Sequence, residues 1–124
     1  MNENLEFCAR LKCEYYIKNI KMLYKWSNVP EDDIYSFLDV LGVSEYRDAI
    51  KWLLTRKPVL NVQINIAIKS LLEYQRGTTE YINILNRLKV ALVVCNKTQA
   101  VTILTSIAQY SNNPKEDIKY LTTF

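Results

Sequence analysis

The stretch Val59-Leu-Asn-Val-Gln-Ile-Asn-Ile-Ala-Ile-Lys69 decides the fold. Val62, Ile64, Ile66 and Ile68 alternate with Asn61, Gln63, Asn65 and Ala67, which is the period-two pattern of a half-buried strand. The same residues also fit a helix. Leu60, Ile64, Ile68 (or Ala67), Leu71 and Gln75 make one row at helical spacing, and the continuation Lys69-Ser-Leu-Leu-Glu-Tyr-Gln-Arg76 is good helix sequence. No second convincing strand exists elsewhere, and a lone strand leaves its backbone N–H and C=O groups unpaired. The stretch is therefore predicted to be helical through Arg76, with Gly77 as its stop, and the chain to lack a sheet.

Helical signals continue on both sides. Downstream, Thr78 or Thr79 caps a helix to Cys95 with Ile82, Leu85, Leu88 and Leu92 inward, and Asn96 fits its C′ position. Thr98 caps the next helix, to Tyr110, with Val101, Leu104, Ile107 and Ala108 inward; a last helix starts at Pro114 and runs into Phe124. Upstream, Lys57-Pro58 ends a helix over 45–56, capped by Ser44, with Ala49, Ile50, Leu53 and Leu54 inward. Before it, Pro30 opens a helix to Leu41 with Glu31, Asp32 and Asp33 where the helix dipole favours acids. That helix buries Ile34, Phe37, Leu38 and Leu41 and stops at Gly42.

The first helix, from Asn4 to Trp26, has two distinct faces. Leu5, Ala9, Cys13, Tyr16, Ile17, Ile20, Leu23 and Tyr24 fall on one side; Arg10, Lys18, Lys21 and Lys25 fall on the other, with Glu14 the only acid among them. This reading makes it the helix around which the others are arranged. The expected fold class is all-α, a compact bundle of six or seven helices forming a single domain over residues 1–124. The pattern ends inside a helix without a C-terminal stop, as in a domain cut from a longer protein or a last helix that frays. Ser27-Asn-Val-Pro-Glu-Asp-Asp-Ile34 echoes Ser111-Asn-Asn-Pro-Lys-Glu-Asp-Ile118; shared helix-start chemistry accounts for it, with duplication as the other explanation.

Composition supports this class and removes several functions. Only two glycines and three prolines occur in 124 residues, too few for a loop-rich or all-β fold. Three cysteines without CxxC spacing, and no histidine, argue against zinc or a disulfide framework and for reduced thiols in a cytoplasmic protein. No apolar run approaches the ~18 residues of a membrane span, and no secretory signal is visible, so no membrane partner is expected. Catalysis is poorly provided for. The usual base near neutral pH is missing, no glycine-rich phosphate loop occurs, and no serine or cysteine has a visible activating partner. Asp32-Asp33 and Glu116-Asp117 suit helix N-termini better than a divalent cation. No enzyme, cofactor or metal is expected.

Charge distribution points to nucleic acid. Net charge is only +3, but between Ala49 and Lys97 the only acids are Glu73 and Glu80. Lysine and arginine release counterions from phosphates, and aromatic rings stack on unpaired bases. The expected contacts are Lys18, Lys21, Lys25, Arg47, Lys51, Arg56 and Lys57 to phosphates, with Tyr24 and Trp26 stacking; the Arg56-Lys57 pair is also a candidate for nucleotide phosphates. Tyr15, Tyr46 and Trp52 lie among these charges, and Tyr16 and Trp52 read first as packing. Residues 33–54 resemble a helix-turn-helix around Leu41-Gly42-Val43-Ser44. Asp48 stands where an inward apolar residue is needed, however, and Leu38 replaces the usual small residue.

Many Lys, Ile, Tyr and Asn with few Gly give a composition similar to that of chains from crenarchaeal plasmids and viruses. The length, the seven-helix pattern and the basic-aromatic first helix resemble the helix-bundle domain that follows the catalytic domain in crenarchaeal plasmid primase-polymerases. The small helical subunits of archaeal CRISPR effector complexes look similar at the same level. The first resemblance implies a non-catalytic module that binds single-stranded template DNA, and nucleotides, beside other replication domains. The competing expectation is a helical protein–protein adaptor of a plasmid or virus, which seats a partner helix in a groove.

Overall fold

The computed structural model describes residues 3–25, 31–41 and 44–123. Among them are seven α-helices and no strand: α1 (Glu3–Lys25), α2 (Glu31–Leu41), α3 (Arg47–Thr55), α4 (Leu60–Glu73), α5 (Thr79–Val94), α6 (Lys97–Tyr110) and α7 (Pro114–Thr122). Short 3₁₀ turns, Ser44–Tyr46 and Lys57–Val59, lead into α3 and α4. None of the described helices is long and apolar enough to cross a membrane.

The ambiguous stretch is helical, as its row of apolar residues requires. Leu60, Ile64, Ala67, Ile68 and Leu71 are buried. The residues that only the strand pattern would bury stay outside: Val62 is 57% exposed and Ile66 49%, against 3% for Ile64. The helix stops at Glu73 rather than at Arg76. Arg76 is held by the Asp117 carboxylate at 2.9 Å, and the chain reverses at Gly77, whose φ of +85° is a conformation side-chain-bearing residues rarely adopt. Gln75, expected on the inward row, is exposed in that turn.

The organising helix is α5, not α1. It packs against α1, α3, α4, α6 and α7, and it buries residues around most of its circumference: Tyr81, Ile84, Leu85, Leu88, Lys89, Val90 and Ala91. A helix enclosed by neighbours has no single inward stripe. The expected row was therefore partly wrong: Ile82 is exposed, and Tyr81 takes its place in the core. Thr78 is its cap, accepting from the Tyr81 N–H at 3.3 Å. On α1, Tyr16, Ile20 and Leu23 are buried together with Asn19, while Ile17 and Tyr24 are half-buried. All four expected residues of α3 are buried. On α2, Ile34 and Leu38 are inward but Phe37 is exposed.

Asn96 does not close α5; it opens α6. The Gln99 N–H donates to Asn96 Oδ1 at 2.8 Å, and the Asn96 N–H donates to Gln99 Oε1 at 2.9 Å, a reciprocal capping box. Thr98 thus lies inside the helix. Apolar residues fall on two overlapping rows of α6, and packing against α4, α5 and α7 selects the row with Ile103 and Ile107, leaving Val101 and Ala108 exposed. Asn96→Ala should lower stability by about 1 kcal/mol, measured as a shift of a few degrees in a thermal melt. For α7, Asn113 accepts from the Glu116 N–H with Pro114 in the first turn, and the helix ends at Thr122. The readings of Trp26, Ser27 to Pro30, Gly42 and Phe124 lie outside the described residues. Those made for the side chains of Leu5, Cys8, Ala9, Arg10, Cys13, Glu31, Leu41 and Ser44 also lie outside them.

Candidate nucleic-acid interface

Helices α3 and α5 pack through Ala49, Ile50, Leu53 and Leu54 on one side and Ile84, Leu85 and Leu88 on the other. The rows beside those apolar rows become the walls of a groove. On α3 the four-residue spacing aligns Arg47 with Lys51, and Asp48 with Trp52 and then Arg56 just past the helix end; on α5 the walls are Asn83, Asn86 and Arg87. Tyr35 of α2 and Glu45 and Tyr46 of the 3₁₀ turn complete a cleft of about 600 Å³. Four cations face two carboxylates, Glu45 and Asp48.

The cations differ in how far they are engaged. Lys51 Nζ donates to the Tyr35 hydroxyl at 2.7 Å and lies 5.0 Å from that ring's centre. Arg47 is ion-paired with Asp39 and stands 5.3 Å above the same ring. Arg87 places its guanidinium 5.9 Å from the Trp52 ring. Arg56 is exposed, and its side chain makes no hydrogen bond or ion pair among the described residues. Trp52 itself is half-buried, packed at its base against the core. A smaller cavity of about 210 Å³, lined by Ser70, Tyr74, Glu80, Asn83, Ile84 and Arg87, adjoins the cleft. Asn83 and Arg87 line both cavities, so the path continues over α5 from Trp52 to the exposed Tyr74.

The structure divides the expected contact residues. Arg47, Lys51 and Arg56 come together in the cleft. Tyr24 and Lys57 meet elsewhere: Lys57 Nζ donates to the Tyr24 carbonyl at 2.8 Å and lies 4.5 Å from the Tyr24 ring. A cation at the last carbonyls of α1 complements the helix dipole, which gives Lys57 a structural use. Lys18, Lys21 and Lys25 are exposed on α1 and line neither cavity. Trp26 lies outside the described residues.

Sequence reasoning missed Asn83, Asn86, Arg87, Tyr35 and Tyr74 as members of one surface, because only the packing of α2, α4 and α5 on α3 assembles them. It also missed Lys89, which is 3% exposed. Its ammonium lies 4.2 Å from the Tyr120 ring centre and 5.2 Å from that of Tyr46, and it donates to the Tyr46 hydroxyl at 3.2 Å. One signal for it was present: Lys89 is a lone charge in Leu88-Lys-Val-Ala-Leu-Val-Val94. Tyr120 in turn donates its hydroxyl to Asn86 Oδ1 at 2.5 Å. Burial, and then the nearby Glu45 charge, push the Tyr120 hydroxyl above its ordinary range, so it remains a donor at neutral pH.

The acid pair at the start of α7 serves the fold. Asp117 is buried and accepts from Arg76, Tyr81 and Ser111. Cys95 is half-buried, and burial pushes its thiol up, away from the thiolate a nucleophile needs. No family model, curated protein or solved structure matches the chain.

Proposed function

We propose that this chain is a non-catalytic, cytoplasmic helical module that binds single-stranded DNA, with the strand laid along the α3–α5 cleft. The observation that carries the reading is the continuous path from Trp52 past Arg87 to Tyr74, bordered by Arg47, Lys51 and Arg56. Alternating rings and cations are what a flexible strand needs: stacking for unpaired bases and charge for the backbone. A cleft of about 600 Å³ falls within the ~300–1,000 Å³ range of small-molecule sites, so a nucleotide is the second ligand of the same surface. A place in a replication or primase machine, beside other replication domains, follows from the resemblance of the helical pattern and the basic-aromatic first helix.

The test is a titration with labelled single-stranded DNA at several salt concentrations. Affinity should fall with salt, with a slope of about 0.7 for each phosphate engaged. Changing Lys18, Lys21 and Lys25 to glutamine should leave the fold intact, because exposed substitutions usually change stability by no more than ~0.5 kcal/mol each. The triple variant should also bind less tightly, with a flatter slope; unchanged affinity would confine the interface to the cleft. A second reading, the protein–protein adaptor, has its own observation. Val59, Val62 and Ile66 are exposed at the start of α4, on the side opposite the core. Absence of any salt-dependent DNA binding would leave that reading in place.

A further inference from the structure

Asn86 enters the cleft with half of its amide already committed. Its Oδ1 accepts the Tyr120 hydroxyl, and Asn86 makes no other hydrogen bond among the described residues. Tyr120 does not line the cleft, whereas Asn86 does, so the polar atom left for the cleft is the Nδ2 amine. The arrangement is held from behind. The Lys89 ammonium lies against the Tyr120 ring, which fixes the ring whose hydroxyl grips Asn86. An amide free on both ends would read donors and acceptors alike; one pinned through its oxygen reads acceptors. Asn86 and Arg87 are neighbours on α5, and Arg87 stands over Trp52, so the amine is presented on the same wall as the expected stacking ring.

We infer that the α3–α5 cleft favours unstacked bases that present a carbonyl oxygen, such as thymine, over adenine, through the Nδ2 donor of Asn86 positioned by Tyr120. This rests on the single-stranded DNA reading above and adds a base preference to it. One hydrogen bond to a positioned donor contributes about a fivefold ratio in affinity.

The experiment compares thymine and adenine homo-oligonucleotides of about 12 residues, bound at one low salt concentration to the wild-type protein and to two variants. Adenine runs stack on themselves and bind proteins more weakly for that reason alone. The readout is therefore the change in the thymine-to-adenine affinity ratio between proteins, not the ratio itself. Asn86→Asp replaces the donor by acceptors of similar shape and should lower the ratio about fivefold or more. The added negative charge weakens both oligonucleotides and cancels in the ratio. Tyr120→Phe keeps the ring under Lys89 but frees the amide to turn, and should lower the ratio by a smaller factor; a purely structural role for Tyr120 would weaken both oligonucleotides equally. A ratio unchanged in either folded variant overturns the inference. If the wild type binds neither oligonucleotide, the DNA reading falls with it. Salt-dependent binding with an unchanged ratio overturns the base preference alone.

Discussion

An Asp117→Asn variant should lose about 3 kcal/mol of stability, a fall in melting temperature of roughly 10 °C. The carboxylate is buried, and three elements converge on it. Arg76 from the α4–α5 turn donates at 2.9 Å, Tyr81 of α5 and Ser111 of the α6–α7 link donate at 2.5 Å, and Glu116 lies 3.4 Å from the same guanidinium. Asparagine keeps the shape but removes the charge opposite a partly buried arginine, and it turns one acceptor into a donor facing hydroxyl groups. The same site sets an acid limb of stability. Burial on its own would raise the Asp117 carboxyl, but the hydrogen bonds from Ser111, Tyr81 and Arg76 outweigh it and hold the group below the ordinary 3.8. A depressed carboxylate stabilises the fold above its unfolded-state value and loses that contribution as pH falls below it. Urea melts of the wild type and Asp117→Asn should therefore differ most near neutral pH and converge below about pH 4. A constant gap across that window would show that the charge of Asp117 is not what the fold uses.

Helix content was legible wherever one face of a helix meets the core. On α3, Ala49, Ile50, Leu53 and Leu54 sit at helical spacing, and all four are buried. In α4, two periods competed in the same letters, and hydrogen bonding decided: a helix satisfies its own backbone, whereas a strand needs a partner the chain does not supply. Legibility failed where several neighbours share one helix. No periodicity in α5 could single out Tyr81 over Ile82, because five other helices pack around it. The end of α4 was missed for a different reason. It depends on Arg76 reaching a carboxylate 41 residues away, and sequence spacing does not encode such a pairing.

The site was legible in the same uneven way. Arg47, Lys51 and Arg56 were named from local charge, and they line one cleft because a four-residue spacing is a property of α3 alone. Tyr24 and Lys57 were named on the same grounds, yet they face each other rather than the cleft, with Lys57 donating to the last turn of α1. Asp117 was read as a dipole partner at a helix start, and that reading explains its position on α7 but not its three donors. Charge runs thus locate a surface, and packing decides which charges share it.

Trp52 is the residue on which the DNA reading turns. It was read from sequence as packing, and its base does pack against the core. Its other side lies under the Arg87 guanidinium, on the cleft wall. Trp52→Ala should weaken single-stranded DNA binding by about 1–3 kcal/mol if the ring stacks on a base, without changing the salt slope, because no phosphate contact is lost. Truncation of a half-buried ring also removes core contacts, so a loss of about 2 kcal/mol in stability is expected alongside. Trp52→Phe separates the two effects, since it keeps an aromatic face at the cleft and most of the buried area; its affinity should stay within a few-fold of wild type. The double change of Arg56 and Arg87 to glutamine has the opposite signature. It should flatten the salt slope by about 1.4, two contacts at ~0.7 each, with little change in melting temperature. Binding of folded Trp52→Ala at wild-type affinity would remove base stacking from the cleft. An unchanged slope in the arginine double variant would remove the phosphate backbone as well, and with both gone the exposed Val59, Val62 and Ile66 of α4 would become the surface to test against protein partners.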